Sequence, residues 1–207
     1  MLAAVILSGG ESSRMGSPKA LIPFRGSTFL GCLLETIKQA NEQSKKKSDA
    51  GKAIGCTRVV LGAHTKEISE KIPLGSDEIV VNPQWKQGQL SSMQAAIRSI
   101  QETPTDGVMF FLVDHPMVSA ELVAELVRQF YASGRAILVP KFRDKRGHPV
   151  IFASRLYGEL LAAPADQGAR AVVWAHADEV LEVPTNEEGV VLNLNDPEAL
   201  RRALTGV

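Results

Sequence analysis

Short segments that are apolar at nearly every position alternate along the chain with longer segments whose apolar residues recur every three or four positions. The short segments are Ala3–Leu7, Arg58–Leu61, Glu78–Val81, Val108–Val113 and Ala136–Val139. The longer segments, whose spacing predicts helices, are Thr28–Gln43, Lys66–Lys71, Ser91–Gln101 and Ser119–Ser133. Short runs without polar alternation are typical of strands buried on both faces. The pattern therefore predicts an α/β fold with a mostly parallel central sheet and helices on both sides.

After Pro140 the elements become shorter and less regular. They are Val150–Phe152, Ser154–Ala162, Gly168–Ala177, Val180–Val183, Val190–Leu194 and Pro197–Leu204. A chain of 207 residues is long enough for one medium-sized domain. We therefore expect residues 1–207 to form a single domain whose later segments pack on the same sheet. The polar, basic stretch Ala40–Ala53 is predicted to be a solvated loop.

Charge and cysteine content exclude several classes of protein. Lys and Arg total 23 and so do Asp and Glu, whereas nucleic-acid-binding proteins usually carry a basic surplus. No apolar run approaches the ~18 residues that cross a bilayer, and Met1–Leu7 is too short for a signal peptide. Cys32 and Cys56 are far apart and form no CxxC pattern, which argues against a disulfide scaffold or a cysteine-rich zinc site. We expect a cytoplasmic protein without nucleic-acid or membrane partners.

The segment Leu7–Lys19 (LSGGESSRMGSPK) begins at the end of the first predicted strand. Paired glycines let the backbone turn and bring N–H groups close to an anion, and Arg14 and Lys19 add positive charge. A triphosphate suits such a loop. A Walker A loop does not fit, because five residues separate Gly10 from Gly16 and Lys19 is followed by alanine. A GxGxxG dinucleotide fingerprint is absent from the segment.

This segment resembles the signature of the MobA-like nucleotidyltransferases, and Lys19–Gly26 resembles its usual continuation. The resemblance implies a Rossmann-like α/β/α fold and transfer of a nucleoside monophosphate from a triphosphate to a phosphorylated acceptor, with release of pyrophosphate. It implies a nucleotide-binding half at about residues 1–118 and an acceptor-binding half at about 119–207. Under it, Arg14 and Lys19 are catalytic as well as nucleotide-binding. The nucleotide-binding residues of the loop are Leu7, Ser8, Gly9, Gly10, Arg14, Gly16 and Lys19.

Two aspartates are candidate metal ligands. Asp114 follows the most apolar strand, where ligands bind in open α/β sheets, and a carboxylate there can hold Mg²⁺. Its alternative is a turn-forming Asp before Pro116. The resemblance favours the metal, because the family places a catalytic, metal-binding Asp in a similar turn. Asp196 precedes Pro197 as a helix N-cap would, and it resembles the Asp of the family's N-x-D-T-P motif without the Thr.

A second loop carries Asn82, Gly88, Ser91 and Ser92 before a predicted helix. Its small polar residues can cap that helix or face a base or phosphate. The stretch resembles the G-x-x-S-S sequence of the cytidylyltransferase branch, which attaches CMP to molybdopterin. The GPLAG-like sequence of the guanylyl branch is absent. The resemblance therefore favours CTP over GTP as the nucleotide. Trp85 and His64 are expected to be packing residues.

Two further motifs concern the acceptor. Gly147-His148-Pro149 follows a basic cluster and can receive an anionic ligand, and Asp166-Gln167-Gly168-Ala169-Arg170 can begin a helix. An ordinary loop and an ordinary N-terminal acid are the alternatives. Together the motifs resemble the molybdopterin cytidylyltransferase pattern, which implies that Gly147, His148, Pro149, Asp166, Gly168 and Arg170 bind the acceptor.

The resemblance thus implies a Mg²⁺-dependent enzyme that transfers CMP from CTP to molybdopterin or the molybdenum cofactor. A molybdenum hydroxylase that receives the product is the further partner it suggests. A guanylyltransferase using GTP, another small-molecule nucleotidyltransferase and a non-catalytic carrier of the molybdenum cofactor are the alternatives.

Overall fold

The computed structural model describes residues 1–12, 16–47 and 53–205. For residues 45–47 it describes the backbone only. The strands are β1 (Leu2–Ser8), β2 (Pro23–Phe24), β3 (Ser27–Thr28), β4 (Ile54–Leu61), β5 (Ile79–Val81), β6 (Gly107–Leu112), β7 (Ile137–Phe142), β8 (Lys145–Arg146), β9 (Val150–Ala153) and β10 (Val180–Thr185). The α-helices are α1 (Phe29–Lys47), α2 (Thr65–Lys71), α3 (Gln89–Ser99), α4 (Ala120–Ser133), α5 (Tyr157–Ala162), α6 (Arg170–Ala175) and α7 (Pro197–Thr205).

The central sheet has the strand order β10-β7-β9-β6-β1-β4-β5, with the short strand β8 paired to β7. β1 pairs in parallel with both β4 and β6, and β10 pairs in parallel with β7. β9 is antiparallel to both of its neighbours, β6 and β7. The chain turns back directly after β7 and β8, and such a short connection permits only an antiparallel return. β2 and β3 form a separate hairpin.

The sheet separates two apolar clusters, as the sequence pattern predicts. Every residue of β1 is buried, and its side chains alternate between the clusters, with Ile6 on one side and Val5 on the other. Helices α1, α2, α4 and α7 cover the first face, and α3, α5 and α6 cover the second. This arrangement confirms the predicted Rossmann-like α/β/α fold.

Two local predictions are wrong. Helix α1 continues to Lys47, so the first part of the predicted loop Ala40–Ala53 is helical; residues 48–52 lie outside the described ranges. Residues 190–194 are not a strand: Val190 ends the 3-10 helix Glu188–Val190, Val191 lies in a turn, and residues 192–194 have no regular secondary structure. Gly189 is pressed against the carbonyl of Met117, so this segment packs on the turn after β6 and joins no strand. Within the described ranges no helix is long and apolar enough to cross a membrane.

Candidate active site

A cavity of about 360 Å³ lies at the carboxyl ends of β1 and β6. Its lining comprises Leu7, Ser8, Gly9, Gly10, Ser12, Lys19, Trp85, Gly88, Gln89, Ser92, Leu112, Val113, Asp114, Asn193 and Asn195. The carboxyl ends of parallel strands are the usual ligand-binding edge of an open α/β sheet. The structure thus brings the glycine loop, the second loop and the Asp114 turn together at one site.

The loop between β4 and α2 supports the glycine loop from behind. The Ala63 N–H donates to the Gly9 carbonyl over 3.2 Å. A Cβ atom at Gly62 would lie 2.4 Å from that same carbonyl oxygen, so this close approach requires glycine. The His64 ring Nε2 lies 2.9 Å from the Glu11 carbonyl. His64, predicted to be a packing residue, therefore holds the backbone of the glycine loop.

Lys19 and Asp114 form an ion pair across the cavity. Lys19 Nζ donates to Asp114 Oδ2 over 2.8 Å and also donates to Asn195 Oδ1. The side chains of Lys19 and Asp114 are only 21% and 15% exposed, so water screens this pair less than it screens a surface pair. Asp114 is held in place because its carbonyl accepts from Leu194 N over 2.9 Å. Two residues predicted to be catalytic are therefore in direct contact.

The second loop contributes through a buried amide. Asn82 Nδ2 donates to Ser91 Oγ over 2.9 Å and to Ser92 Oγ over 3.0 Å. Ser91 Oγ donates to the Gly88 carbonyl over 2.8 Å, which ties it to its own turn. Ser92 lines the cavity instead. The sequence predicted that Asn82, Ser91 and Ser92 all bind the nucleotide. In the structure Ser92 lines the cavity, whereas Asn82 and Ser91 do not line it and support the loop through hydrogen bonds.

The C-terminal segment supplies residues that sequence reasoning missed. Asn193 and Asn195 line the cavity, and Asn193 Oδ1 is buried without a hydrogen-bond partner in the described part of the chain. Asp196, predicted as a helix N-cap and as a metal ligand, caps α7, because its Oδ1 accepts from Ala199 N over 2.9 Å. Asp196 is absent from the cavity lining, and its role as a metal ligand stays a prediction. The signal that could have found the two asparagines is the alternation Asn-Leu-Asn. Leu194 is buried, and the asparagines on either side of it line the cavity.

The donor atoms at the cavity suit a hard divalent cation. The Asp114 carboxylate and the amide oxygens of Asn193 and Asn195 are the kinds of ligand that Mg²⁺ prefers. No group of three or more His, Cys, Asp or Glu that could hold a metal ion occurs within residues 1–12, 16–47 and 53–205. Mg²⁺ is commonly bound by one or two carboxylates together with substrate phosphates. The residues present therefore fit a metal shared with a phosphate substrate.

Two histidines lie beside Asp114. The rings of His115 and His148 are 5.4 Å apart, centroid to centroid, and His115 Nε2 is 4.0 Å from Asp114 Oδ1. Burial lowers the pKa of His115, against the opposing effect of Asp114, and burial lowers the pKa of His148 to about 4. Both imidazoles are therefore neutral near pH 7. His148 contacts His115 and does not line the cavity.

The other predicted acceptor residues are not at the cavity. Gly147 packs against Val190: a Cβ at Gly147 would lie 2.4 Å from the Val190 carbonyl oxygen. Pro149, two residues further along, is buried. Asp166 and Arg170 are exposed near the start of α6, and Gly168 N donates to the Pro164 carbonyl over 2.9 Å. Their acceptor role stays a prediction.

Of the glycine loop, Gly16 is described but does not line the cavity, and Arg14 lies outside the described residues.

Residues 4–180 match the MobA-like NTP transferase domain. The chain belongs to this family. The resemblance carried by Leu7–Lys19 is thereby confirmed, and the chain is a nucleotidyltransferase by family.

Several curated proteins are similar to the chain. Nicotine blue oxidoreductase of Paenarthrobacter nicotinovorans is 29% identical over 176 residues, 80% of this chain and 78% of that protein. Molybdenum cofactor cytidylyltransferase of Escherichia coli is 21% identical over 197 residues, 94% of this chain and 91% of that protein. A probable molybdenum cofactor guanylyltransferase of Mycobacterium avium is 26% identical over 205 residues, 97% of this chain and 93% of that protein.

Solved structures share the fold. Rv0371c of Mycobacterium tuberculosis superposes with a TM-score of 0.80 at 23% identity, covering 100% of this chain and 99% of that chain. Its complex with manganese superposes with a TM-score of 0.76 at 22% identity over the same shares. These likenesses show that this chain shares its overall fold with Rv0371c.

Proposed function

We propose that this protein transfers CMP from CTP to the terminal phosphate of molybdopterin or the molybdenum cofactor, with Mg²⁺ as cofactor and pyrophosphate as the leaving group. The observation that carries the proposal is the cavity in which the glycine loop, Lys19 and Asp114 meet. Family membership supports nucleotidyl transfer, and two curated relatives act on the molybdenum cofactor.

The reaction needs positioning and charge neutralisation more than covalent help from the protein. Backbone groups at Gly9 and Gly10 would hold the phosphates, and Lys19, with Arg14, would stabilise charge on them and on the leaving pyrophosphate. Asp114 would hold Mg²⁺ together with the amide oxygen of Asn193. When bound, the metal neutralises phosphate charge. A phosphate monoester is already a nucleophile near pH 7, so no general base is required.

Recognition of the base is proposed to lie at the second loop. Gly88, Gln89 and Ser92 line the cavity on the side away from Asp114's strand, and Asn82 orients Ser92. The resemblance of Gly88–Ser92 to the cytidylyltransferase branch favours CTP over GTP. A guanylyltransferase is the second candidate, because a relative with 26% identity carries that name.

The acceptor is proposed to approach from the second half of the chain. His148 adjoins His115 and through it Asp114, so an acceptor phosphate near Gly147-His148-Pro149 would be close to the nucleotide. Asp166, Gly168 and Arg170 would contact the rest of the acceptor. A molybdenum hydroxylase that takes up the product is the downstream partner of this proposal.

The deciding experiment incubates the purified protein with molybdopterin, Mg²⁺ and one of CTP, GTP or ATP, and measures pyrophosphate release. We expect release with CTP well above that with GTP or ATP, and calorimetry should show the same order of binding. Pyrophosphate release with GTP but not with CTP would show that the protein is a guanylyltransferase and that GTP, not CTP, is the nucleotide donor. Cofactor binding without pyrophosphate release from any triphosphate would instead support a carrier.

A further inference from the structure

Two oxygen atoms that suit a divalent cation are bound to a lysine ammonium group. Asp114 Oδ2 and Asn195 Oδ1 both accept hydrogen bonds from Lys19 Nζ. An ammonium group is a compact positive charge with three donors and can therefore stand where a metal ion would bind the same oxygens. The Lys19 ammonium group thus occupies the position that a metal ion bound to these two oxygens would take.

The charges at the site cancel while this contact is made. Among the described residues that line the cavity, Lys19 and Asp114 are the charged side chains, and both asparagines are neutral. Their low exposure reduces screening by water. A divalent cation that approaches Asp114 therefore meets a neutralised carboxylate and a nearby positive charge, and both weaken its binding.

A polyphosphate offers Lys19 a stronger partner than one carboxylate does. The Lys19 backbone is fixed to the glycine loop because its N–H donates to Ser12 Oγ over 3.0 Å, whereas its side chain has a flexible four-carbon stem. The ammonium can therefore move from Asp114 to phosphates on the loop without a change in the backbone. Asn193 Oδ1, buried without a hydrogen-bond partner in the described chain, belongs to a residue that lines the same cavity as Asp114 and offers a further oxygen ligand there.

We propose that Lys19 keeps Asp114 closed to divalent cations until a polyphosphate binds the glycine loop. Metal binding then depends on nucleotide binding, and by linkage each favours the other. The inference rests on the proposed function, because that function makes a nucleoside triphosphate the ligand of the loop.

The test uses Mn²⁺ alone as the probe, with free Mn²⁺ measured by electron paramagnetic resonance in titrations without nucleotide. Lys19→Met and Lys19→Gln are compared with the wild type and with Lys71→Met. Lys71 makes an ion pair of the same 2.8 Å length with Glu67, but on the exposed surface of α2. We expect both Lys19 variants to bind Mn²⁺ about tenfold or more tightly than the wild type, because a neighbouring positive charge is removed. Lys71→Met should match the wild type.

The double variant Lys19→Met/Asp114→Asn locates the metal and should lose the gain. A gain that persists in the double variant would overturn the inference, as would folded Lys19 variants that bind Mn²⁺ no more tightly than the wild type. Thermal melts establish folding, and Lys19→Gln retains a donor for Asp114 if Lys19→Met is unstable. Calorimetry of the wild type with CTP and Mg²⁺ tests the proposed function separately. The Mn²⁺ comparison is made without nucleotide, so it decides the inference whatever the calorimetry shows.

Discussion

The backbone of Gly62 is in close contact with the carbonyl of Gly9, the residue that begins the glycine loop. A Cβ at Gly62 would lie 2.4 Å from that oxygen and 2.7 Å from the Trp85 Cβ, so an added side chain must displace one of them. The loop at the cavity is thus shaped by a residue 53 positions along the chain that does not itself line the cavity. Contacts of this kind give the first prediction.

Gly62→Ala should displace the glycine loop and weaken nucleotide binding by about tenfold or more, since a shift of a few tenths of an ångström is felt at a preorganised site. Calorimetry with CTP and Mg²⁺ measures the loss. Gly158→Ala is the matched control, because a Cβ there meets nothing within 4 Å and the residue lies in α5. That control should bind normally and gain up to about 0.5 kcal/mol in stability. Normal CTP binding by Gly62→Ala would contradict the prediction.

Lys19→Ala and Asp114→Ala should each lower turnover by about 10²-fold or more, as removal of one preorganised electrostatic group commonly does. Asp114→Ala should also abolish the dependence of the rate on Mg²⁺. Pyrophosphate release with CTP and molybdopterin, followed across a Mg²⁺ titration, checks both. Lys71→Ala, which breaks only a surface ion pair, should leave the rate unchanged. Wild-type rates in the Lys19 and Asp114 variants would show that the catalytic residues lie elsewhere.

Asn82→Ala should lower the free energy of unfolding by about 1–3 kcal/mol, because it leaves buried hydroxyl groups without their donor. Asn82 is 3% exposed and donates to both Ser91 and Ser92. Urea denaturation measures the change. Asn186→Ala, at an exposed position, serves as the control and should be close to neutral. If Asn82→Ala also raises the KM for nucleotide while Asn186→Ala does not, the supporting role of Asn82 is established.

Stability should fall on raising the pH because of His176. Hydrogen bonding to Glu159 raises the pKa of His176, and Glu179 adds to the effect. The charged imidazole thus stabilises the fold below its unfolded-state pKa of about 6.5, and this contribution is lost as the pH rises through the higher folded-state pKa. Urea midpoints at mildly acid and mildly alkaline pH should therefore differ more for the wild type than for His176→Gln. Equal differences in the two proteins would refute the assignment.

The family signature in the glycine loop was readable from sequence because it is local. Leu7–Lys19 places its glycines and Lys19 within one short stretch, and a run as apolar as Val108–Val113 indicates where Asp114 emerges from the sheet. The contributions of Asn193 and Asn195 were harder to read, since asparagine is not diagnostic of a site, the alternation around Leu194 is only a weak signal, and both residues lie far along the chain from Lys19. Asp196 was singled out as a helix N-cap and, through its resemblance to the family's N-x-D-T-P motif, as a metal ligand; the structure confirms the cap on α7, and the metal role stays a prediction.

The alternation of strands and helices, the two-sided burial of β1 and the family signature in the loop after it can all be read from the chain alone. These properties follow from apolar periodicity and from residues that are neighbours in the chain. Three others needed the folded molecule: Lys19 binds Asp114 and Asn195, Ser92 faces the cavity while Ser91 does not, and β9 returns antiparallel. The contact of Lys19 with Asp114 and Asn195 depends on which distant segments the sheet brings to the same edge, and residue spacing along the chain does not record that. The other two depend on local backbone geometry that the apolar pattern leaves open: Ser91 Oγ is tied to the Gly88 carbonyl, and the short connection after β8 forces the return of β9.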